Sequence, residues 1–275
     1  MMKEDGMKIL IVVVLYKTKV EDCELIPAII QHKNLINADL YIHNNSTNYE
    51  IKKHHDYFVY NSEKNLMLAM AYNLALEFAN EKGYDWLLLF DQDSKTDPKI
   101  LFSEIKHNIN KRYAAIIPIV KGRNGIHISP NIYNPKLGFA WGEKEIKSAG
   151  AYKNCIKSIN SGSLLNVSYL NKIGGFDERF PLDGLDTLYF WKLYNANAEI
   201  FVTNAKLLQN LSVLDYSSMS IERYKKVIKA EYEVSKEMGV IPLILWLIKL
   251  PLRAAKRATQ KGGLRMIIPT LFFYM

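Results

Sequence analysis

Seven consecutive apolar residues, Ile9–Leu15, are mostly β-branched and predict a strand covered on both faces. Residues 22–36 then read as a helix. Residues 40–43 read as a second short strand, which runs into the turn-rich Asn44-Asn45-Ser46-Thr47, and 58–60 as a third. Apolar residues recur at helical spacing over 66–80, with Gly83 just beyond as a cap. Residues 86–90 form another buried strand leading into Asp91-Gln92-Asp93-Ser94; 98–109 read as helix and 114–119 as strand. Strands alternating with helices predict an α/β fold with a mostly parallel sheet and crossover helices.

The second half is less regular. Residues 121–157 are rich in Gly, Asn, Pro and Lys and predict loops with short antiparallel strands. Residues 159–167 read as strand, and 168–173 as a short helix ending at Gly174-Gly175. Residues 187–194 read as helix and 200–203 as strand. Ile221–Met238 reads as a helix carrying Tyr224, Val227, Ile228 and Tyr232 on one face. No internal repeat is visible.

Composition narrows this picture. The 275 residues are 49% apolar and 23% charged, which suits a globular chain of one large domain or one and a half. Cys23 and Cys155 lie far apart without metal or redox spacing, so a reducing compartment fits. The net charge is +8, but residues 240–275 hold six Lys or Arg and no acid. The rest of the chain is nearly neutral, which argues against a nucleic-acid-binding surface. The run at 9–15 is too short and too acidic at its front for a secretory signal. The run at 240–248 is too short to span a bilayer.

Two groups of acids can carry chemistry. Asp91 and Asp93 directly follow a buried strand, at the edge where open α/β sheets bind ligands. Two carboxylates one residue apart there can hold Mg²⁺ or Mn²⁺ against a substrate diphosphate; a turn with a helix cap is the competing reading. Asp183 and Asp186 precede a helix and can supply a general base for an alcohol nucleophile; N-capping by Asp186 is the alternative. The adjacent His54-His55 reads as an exposed loop, and Asn45-Ser46-Thr47 as a turn although it fits a glycosylation sequon.

In order along the chain stand Val12-Val13-Val14-Leu15-Tyr16, Asn44-Asn45-Ser46, Asn65-x-x-x-Ala69-x-Ala71-x-Asn73 and Phe90-Asp91-Gln92-Asp93-Ser94. Ser161-Gly162-Ser163, Ile173-Gly174-Gly175-Phe176-Asp177-Glu178, Asp183-x-x-Asp186 and Lys192 follow. Over 8–215 this series resembles inverting family 2 glycosyltransferases of the GT-A fold, most of all the bacterial rhamnosyltransferase-like branch. The resemblance implies a Rossmann-like nucleotide-binding domain over 7–216. Tyr16 and Asn44 would lie near the base and ribose, and Asn65 and Asn73 would shape the nucleotide pocket. Asp91 and Asp93 would hold the metal and diphosphate, and Ser161-Gly162 would lie beside the donor sugar. Asp186 would be the catalytic base, with Asp183 orienting it or touching the acceptor.

The chain departs from the family pattern at five positions. His43 stands in place of an Asp, Met67 of a Gly, Leu188 of a third acid, Lys192 of an Arg and Gln209 of a His. The implied activity is single-displacement transfer of a sugar from a nucleotide donor, with Mn²⁺ or Mg²⁺. The sugar is rhamnose from dTDP-rhamnose, or a hexose or galactofuranose from a UDP-sugar. The acceptor is a glycan or lipid-linked glycan of bacterial surface polysaccharide. The alternative is a catalytically silent nucleotide-sugar-binding or scaffold protein. Residues 217–275 form a C-terminal extension in which apolar and basic stretches alternate, as interfacial segments do. The expected site of action is the inner face of the cell membrane, peripherally bound, with self-association as a further expectation.

Overall fold

The computed structural model describes residues 6–122, 125–209, 219–260 and 263–273. The boundary expected at 216/217 falls outside them. The first strand, β1 (Ile9–Leu15), is buried along its whole length and pairs in parallel with β2 (Ala38–Asn44). β2 in turn pairs in parallel with β3 (Tyr57–Asn61). On the other side β1 pairs in parallel with β4 (Trp86–Asp91). Helix α1 (Leu25–His32) lies between β1 and β2, and α2 (Met67–Lys82) between β3 and β4.

The alternation of a strand divides β1 between two cores. Leu10, Val12 and Val14 pack with Ala71, Tyr72 and Ala75 of α2. Ile9, Ile11, Val13 and Leu15 pack with Ile26 and Ile29 of α1 and with Leu101 and Phe102 of α3 (Pro98–Asn108). An apolar run without polar alternation is therefore what a strand between two helical layers requires.

The second half completes the sheet. β5 (Tyr113–Lys121) is followed by the short strands β6 (His127–Ser129), β7 (Asn131–Ile132), β8 (Lys144–Glu145), β9 (Gly150–Tyr152) and β10 (Ile156–Lys157). Then come β11 (Leu164–Asn166), α4 (Val167–Lys172), α5 (Leu185–Asn195) and β12 (Glu199–Leu208). The large sheet has the order β3-β2-β1-β4-β11-β5-β12-β9, with β6 on β5. β11 is antiparallel to both β4 and β5, whereas β12 runs parallel to β5. β7, β8 and β10 form a separate small sheet. Only 164–166 of the strand expected over 159–167 pairs in the sheet. Gly162 turns the chain just before it, at φ 77°. Its amide bonds to the Leu89 carbonyl at 2.7 Å, and a Cβ there would meet Leu207 Cδ1 at 2.8 Å.

The C-terminal region is helical: α6 (Ile221–Met238), α7 (Val240–Ala258) and α8 (Ile267–Leu271). Tyr224, Ile228, Trp246, Leu250, Met266 and Phe273 form an apolar cluster of their own. Two prolines, Pro242 and Pro251, fall within α7, which runs through both. Pro242 falls in the first turn, where its missing N–H costs nothing. Pro251 lies in the interior, where packing of Trp246, Leu250 and Ala254 on one face offsets the lost hydrogen bond. None of the described helices is long and apolar enough to cross a membrane.

Met67 opens α2 at φ 60°, a left-handed conformation that costs a side-chain-bearing residue about 1 kcal/mol. Asn45 holds it there, accepting from the Leu66 amide and donating to the Met67 carbonyl at 3.0 Å. Glycine suits this position better. Met67→Gly is expected to raise the midpoint of thermal unfolding by about 2 °C; a lowered midpoint contradicts the strain.

Candidate active site

The parallel strands end level with one another. In register, Leu15 lies beside Asn44, and Val14 beside Asp91, so Tyr16, Asn44 and Asp91 stand along one carboxyl edge of the sheet. This is the edge at which open α/β sheets bind ligands. The Tyr16 ring is exposed, while its backbone is paired to Gln92. The Tyr16 amide donates to Gln92 Oε1 at 2.8 Å, and Gln92 Nε2 donates back to the Tyr16 carbonyl at 3.3 Å. Gln92, the middle residue between the two acids, thus fixes the loop after β1.

Asn44 is fully buried and spends its amide on the protein. It donates to the Tyr49 carbonyl and Asn61 Oδ1 and accepts from the Ser46 amide. Asn65 accepts from the Met67 amide and caps the turn into α2. Asn73 accepts from the Phe176 amide and donates to the Phe176 carbonyl and Glu178 Oε1. These bonds draw Gly175 so close that a Cβ there would lie 2.8 Å from Asn73 Oδ1. All three asparagines shape backbone.

The turn carrying the acids is tied down at both ends. The Asp91 carbonyl accepts from the Ser94 amide at 3.1 Å. Ser161 Oγ pairs with Ser94 Oγ and accepts from the Asp91 amide. Lys95 then forms a two-bond bridge with Leu208 at the end of β12. That bridge delivers Gln209 to the acids: its Nε2 lies 3.2 Å from Asp91 Oδ2 and 3.1 Å from Asp93 Oδ1. The Gln209 side chain is buried, and its Oε1 has no partner among the described residues.

Burial, then the charges of Asp93 and Asp186, pushes the Asp91 carboxyl up to about 7. The buried Tyr72 hydroxyl faces this carboxylate without a hydrogen bond of ordinary geometry. Asp186, in the first turn of α5, is raised chiefly by burial, against the Thr187 amide that it accepts from at 2.7 Å. The three acids therefore share one electrostatic neighbourhood. Asp183 is paired instead, bidentately, with Arg223 of α6, one of the two bonds measuring 2.7 Å. Sequence reading gave no partner for it.

The remaining departures serve packing. His43 is buried, bonded to Ser62 Oγ at 2.8 Å and stacked on Tyr60, and burial lowers its imidazole to about 4. It is neutral at pH 7. Leu188 sits in the core. Lys192 pairs with Asp177 at 3.4 Å, beside Arg179, which holds that carboxyl down at about 2. His54 and His55 are exposed, with Asp56 near both.

On the far side of Asp186 a cavity of about 600 Å³ opens between α5, α6 and α7. Asp183 and Asp186 line one wall, and Lys249, Arg253, Lys256 and Arg257 of α7 line another.

No family model matches the chain, and no curated protein does. Solved structures match its fold. GalNAc-T7, crystallised with UDP, GalNAc and Mn²⁺, superposes with a TM-score of 0.57 at 11% identity, over 94% of this chain. S. aureus TarS 1–349 gives 0.55 at 14% identity over 97% of this chain and 81% of its own, and its complex with UDP-GlcNAc gives 0.54. The chain spans 52% of the GalNAc-T7 chain and 45% of a longer TarS chain. The order of strands, the antiparallel β11 within a parallel sheet and these superpositions together give the chain the GT-A glycosyltransferase fold.

Proposed function

We propose that the chain is a nucleotide-sugar-dependent, inverting glycosyltransferase of the rhamnosyltransferase-like branch. Its donor is dTDP-rhamnose or a UDP-linked hexose or galactofuranose. Its acceptor is a glycan or lipid-linked glycan of a bacterial surface polysaccharide. One observation carries this reading. Asp186 stands between the acids at the sheet edge, of which Asp91 feels its charge, and the cavity between α5, α6 and α7, which it lines. A base there faces a donor on one side and an acceptor on the other.

The donor half consists of Tyr16, whose exposed ring can stack on a base, and the backbone frame set by Asn44, Asn65 and Asn73. Ser161 and Gly162 line the turn beside the acids. The donor set at the edge fits a divalent cation: two converging carboxylates and a buried amide oxygen, Gln209 Oε1, that lacks a partner. Asp91, Asp93 and Gln209 would hold Mn²⁺ or Mg²⁺, and a turn of the Gln209 amide would present its oxygen. When bound, the ion offsets the negative charge that builds on the departing nucleoside diphosphate. The structures of GalNAc-T7 with UDP and Mn²⁺ and of TarS with UDP-GlcNAc support this donor class.

Asp186 accepts the proton of the acceptor hydroxyl, whose oxygen attacks the anomeric carbon opposite the leaving diphosphate, and one displacement inverts the configuration. Burial raises Asp186 and so strengthens it as a base once ionised. Asp183, fixed by Arg223, positions the turn that carries Asp186.

Residues 217–275 act as a membrane-surface extension. Ile241, Ile244, Ile248 and Leu252 recur at helical spacing on α7 and are each about half exposed, opposite the buried Trp246, Leu250 and Ala254. Beside them lie cations worth about 1 kcal/mol each near an anionic bilayer. The apolar stripe and the charges together support peripheral binding at the inner membrane face.

Transfer or hydrolysis of one donor from a nucleotide-sugar panel, with Mn²⁺ present, is the expected result for the purified chain. Asp186→Asn should lower kcat by about 10²–10⁴-fold with donor affinity retained; full turnover by that variant contradicts the assignment. For the extension, Ile241→Glu with Ile248→Glu should abolish co-sedimentation with vesicles rich in phosphatidylglycerol. Undiminished binding would remove the membrane role of α7.

A further inference from the structure

His54 and His55 are adjacent in sequence, which gives their rings no reason to meet at one point. The local fold supplies it. His54 and Tyr57 form an isolated antiparallel bridge, so residues 54–57 make a tight turn that opens β3. The His54 ring stacks on Tyr57, with centroids 5.1 Å apart and planes 18° from parallel. The Asp56 carbonyl accepts from Lys33 Nζ at 2.6 Å, which ties the turn to the end of α1. The two imidazole rings lie 4.3 Å apart. Asp56 Oδ2 lies 3.5 Å from His54 Nδ1 and 3.2 Å from His55 Nε2. The ligand atoms of all three residues fall within 4.8 Å of one another.

These spacings are those of a coordination shell. Bonds of about 2.0–2.2 Å to a tetrahedral ion put neighbouring ligand atoms about 3.2–3.6 Å apart. The His55 side chain, 82% exposed, can swing onto the same ion. The tautomer of His54 suits as well. The Asp56 amide can only donate, and it points at His54 Nδ1 from 3.3 Å, so that nitrogen carries its lone pair. A bond of that length is weak, and a metal ion can replace it. As exposed ion pairs alone, the contacts of Asp56 with the two imidazoles would contribute little.

We infer that His54, His55 and Asp56 form a second metal site, separate from the acids at the sheet edge, which takes Zn²⁺ and leaves its fourth position to water. The donor chemistry selects the ion. Two imidazole nitrogens and one carboxylate oxygen suit Zn²⁺, whereas the all-oxygen set of Asp91, Asp93 and Gln209 suits Mg²⁺ or Mn²⁺. Mn²⁺ stands lowest among the first-row divalent ions in affinity for a nitrogen-bearing site, so the two sites do not compete for it. The topology separates them too. β3 runs from the turn to Asn61, which pairs with Asn44 at the carboxyl edge, so the histidines lie at the opposite edge of the sheet. β3 is also the outermost strand on its side of the large sheet. An ion held by the turn that opens β3 clamps that edge. The inference is independent of the glycosyltransferase reading.

The test uses the full chain without an affinity tag, stripped of metal by dialysis against a chelator. Zn²⁺ is titrated by calorimetry into Asp91→Asn/Asp93→Asn, which lacks the acid pair at the sheet edge. It is then titrated into the same protein carrying His54→Ala/His55→Ala as well. The first should take up one Zn²⁺ per chain, and the second should bind it about tenfold more weakly or not at all. His55→Ala alone alters one exposed ring and leaves the rest of the turn in place, and it should weaken binding by a similar factor. Mg²⁺ at equal concentration should not displace the Zn²⁺. With Zn²⁺ about a hundredfold above its Kd, the midpoint of thermal unfolding should rise by about 5 °C, and only where both histidines remain. Melting curves without metal show that each variant is folded. No uptake of Zn²⁺, uptake that survives either histidine change, or displacement by Mg²⁺ overturns the inference.

Discussion

The site depends on keeping carboxylates together where they repel. Asp91 and Asp93 both point at Gln209 Nε2, and Asp186 lies near enough to raise Asp91 further. Burial makes the larger part of the rise in the Asp91 carboxyl, and this repulsion adds to it. It persists because the backbone gives the acids no way out. Ser161 and Ser94 close the turn, the Lys95–Leu208 bridge locks it to β12, and Gln92 ties it to the loop after β1. The amide of Gln209 supplies only a dipole. A divalent cation would supply the missing charge, and a turn of the Gln209 amide would bring its unpartnered Oε1 to it.

Much of the framework follows from chain chemistry. The unbroken run of β1 can exist only between two apolar layers, and the structure divides its side chains between two cores. The bounds of Ile221–Met238 agree residue for residue, because Ser220 caps the helix start and Gly239 ends it. The short strands between 121 and 157 also fit a composition that disfavours long elements. Helix α7 was harder to read, since proline normally ends a helix. Only the packing of Trp246 and Leu250 against α6 and α8 carries it through Pro251.

The site was legible in kind but not in its connections. An acid pair after a buried strand marks the sheet edge, and Asp186, which the structure puts in the first turn of α5, marks a second element. No local pattern shows that β12 runs on to bring Gln209 onto both acids, or that Arg223 pairs with Asp183 across forty residues. Both contacts are tertiary. Gln92 was readable only as the residue between two aspartates, although its amide holds the loop after β1. The replacements at Leu188 and His43 become intelligible once both side chains are seen to be buried. At Met67 the positive φ accounts for the glycine of the family pattern, and nothing in the structure explains the methionine.

The central claim is that Asp91, Asp93 and Gln209 form a divalent-cation site that works with a nucleoside diphosphate. Electron paramagnetic resonance of Mn²⁺ titrated into the protein tests it most directly, with and without UDP. The account predicts a bound-ion spectrum that strengthens with UDP and disappears in Asp91→Asn/Asp93→Asn. Free-ion signal throughout, or binding that ignores both substitutions, would contradict it.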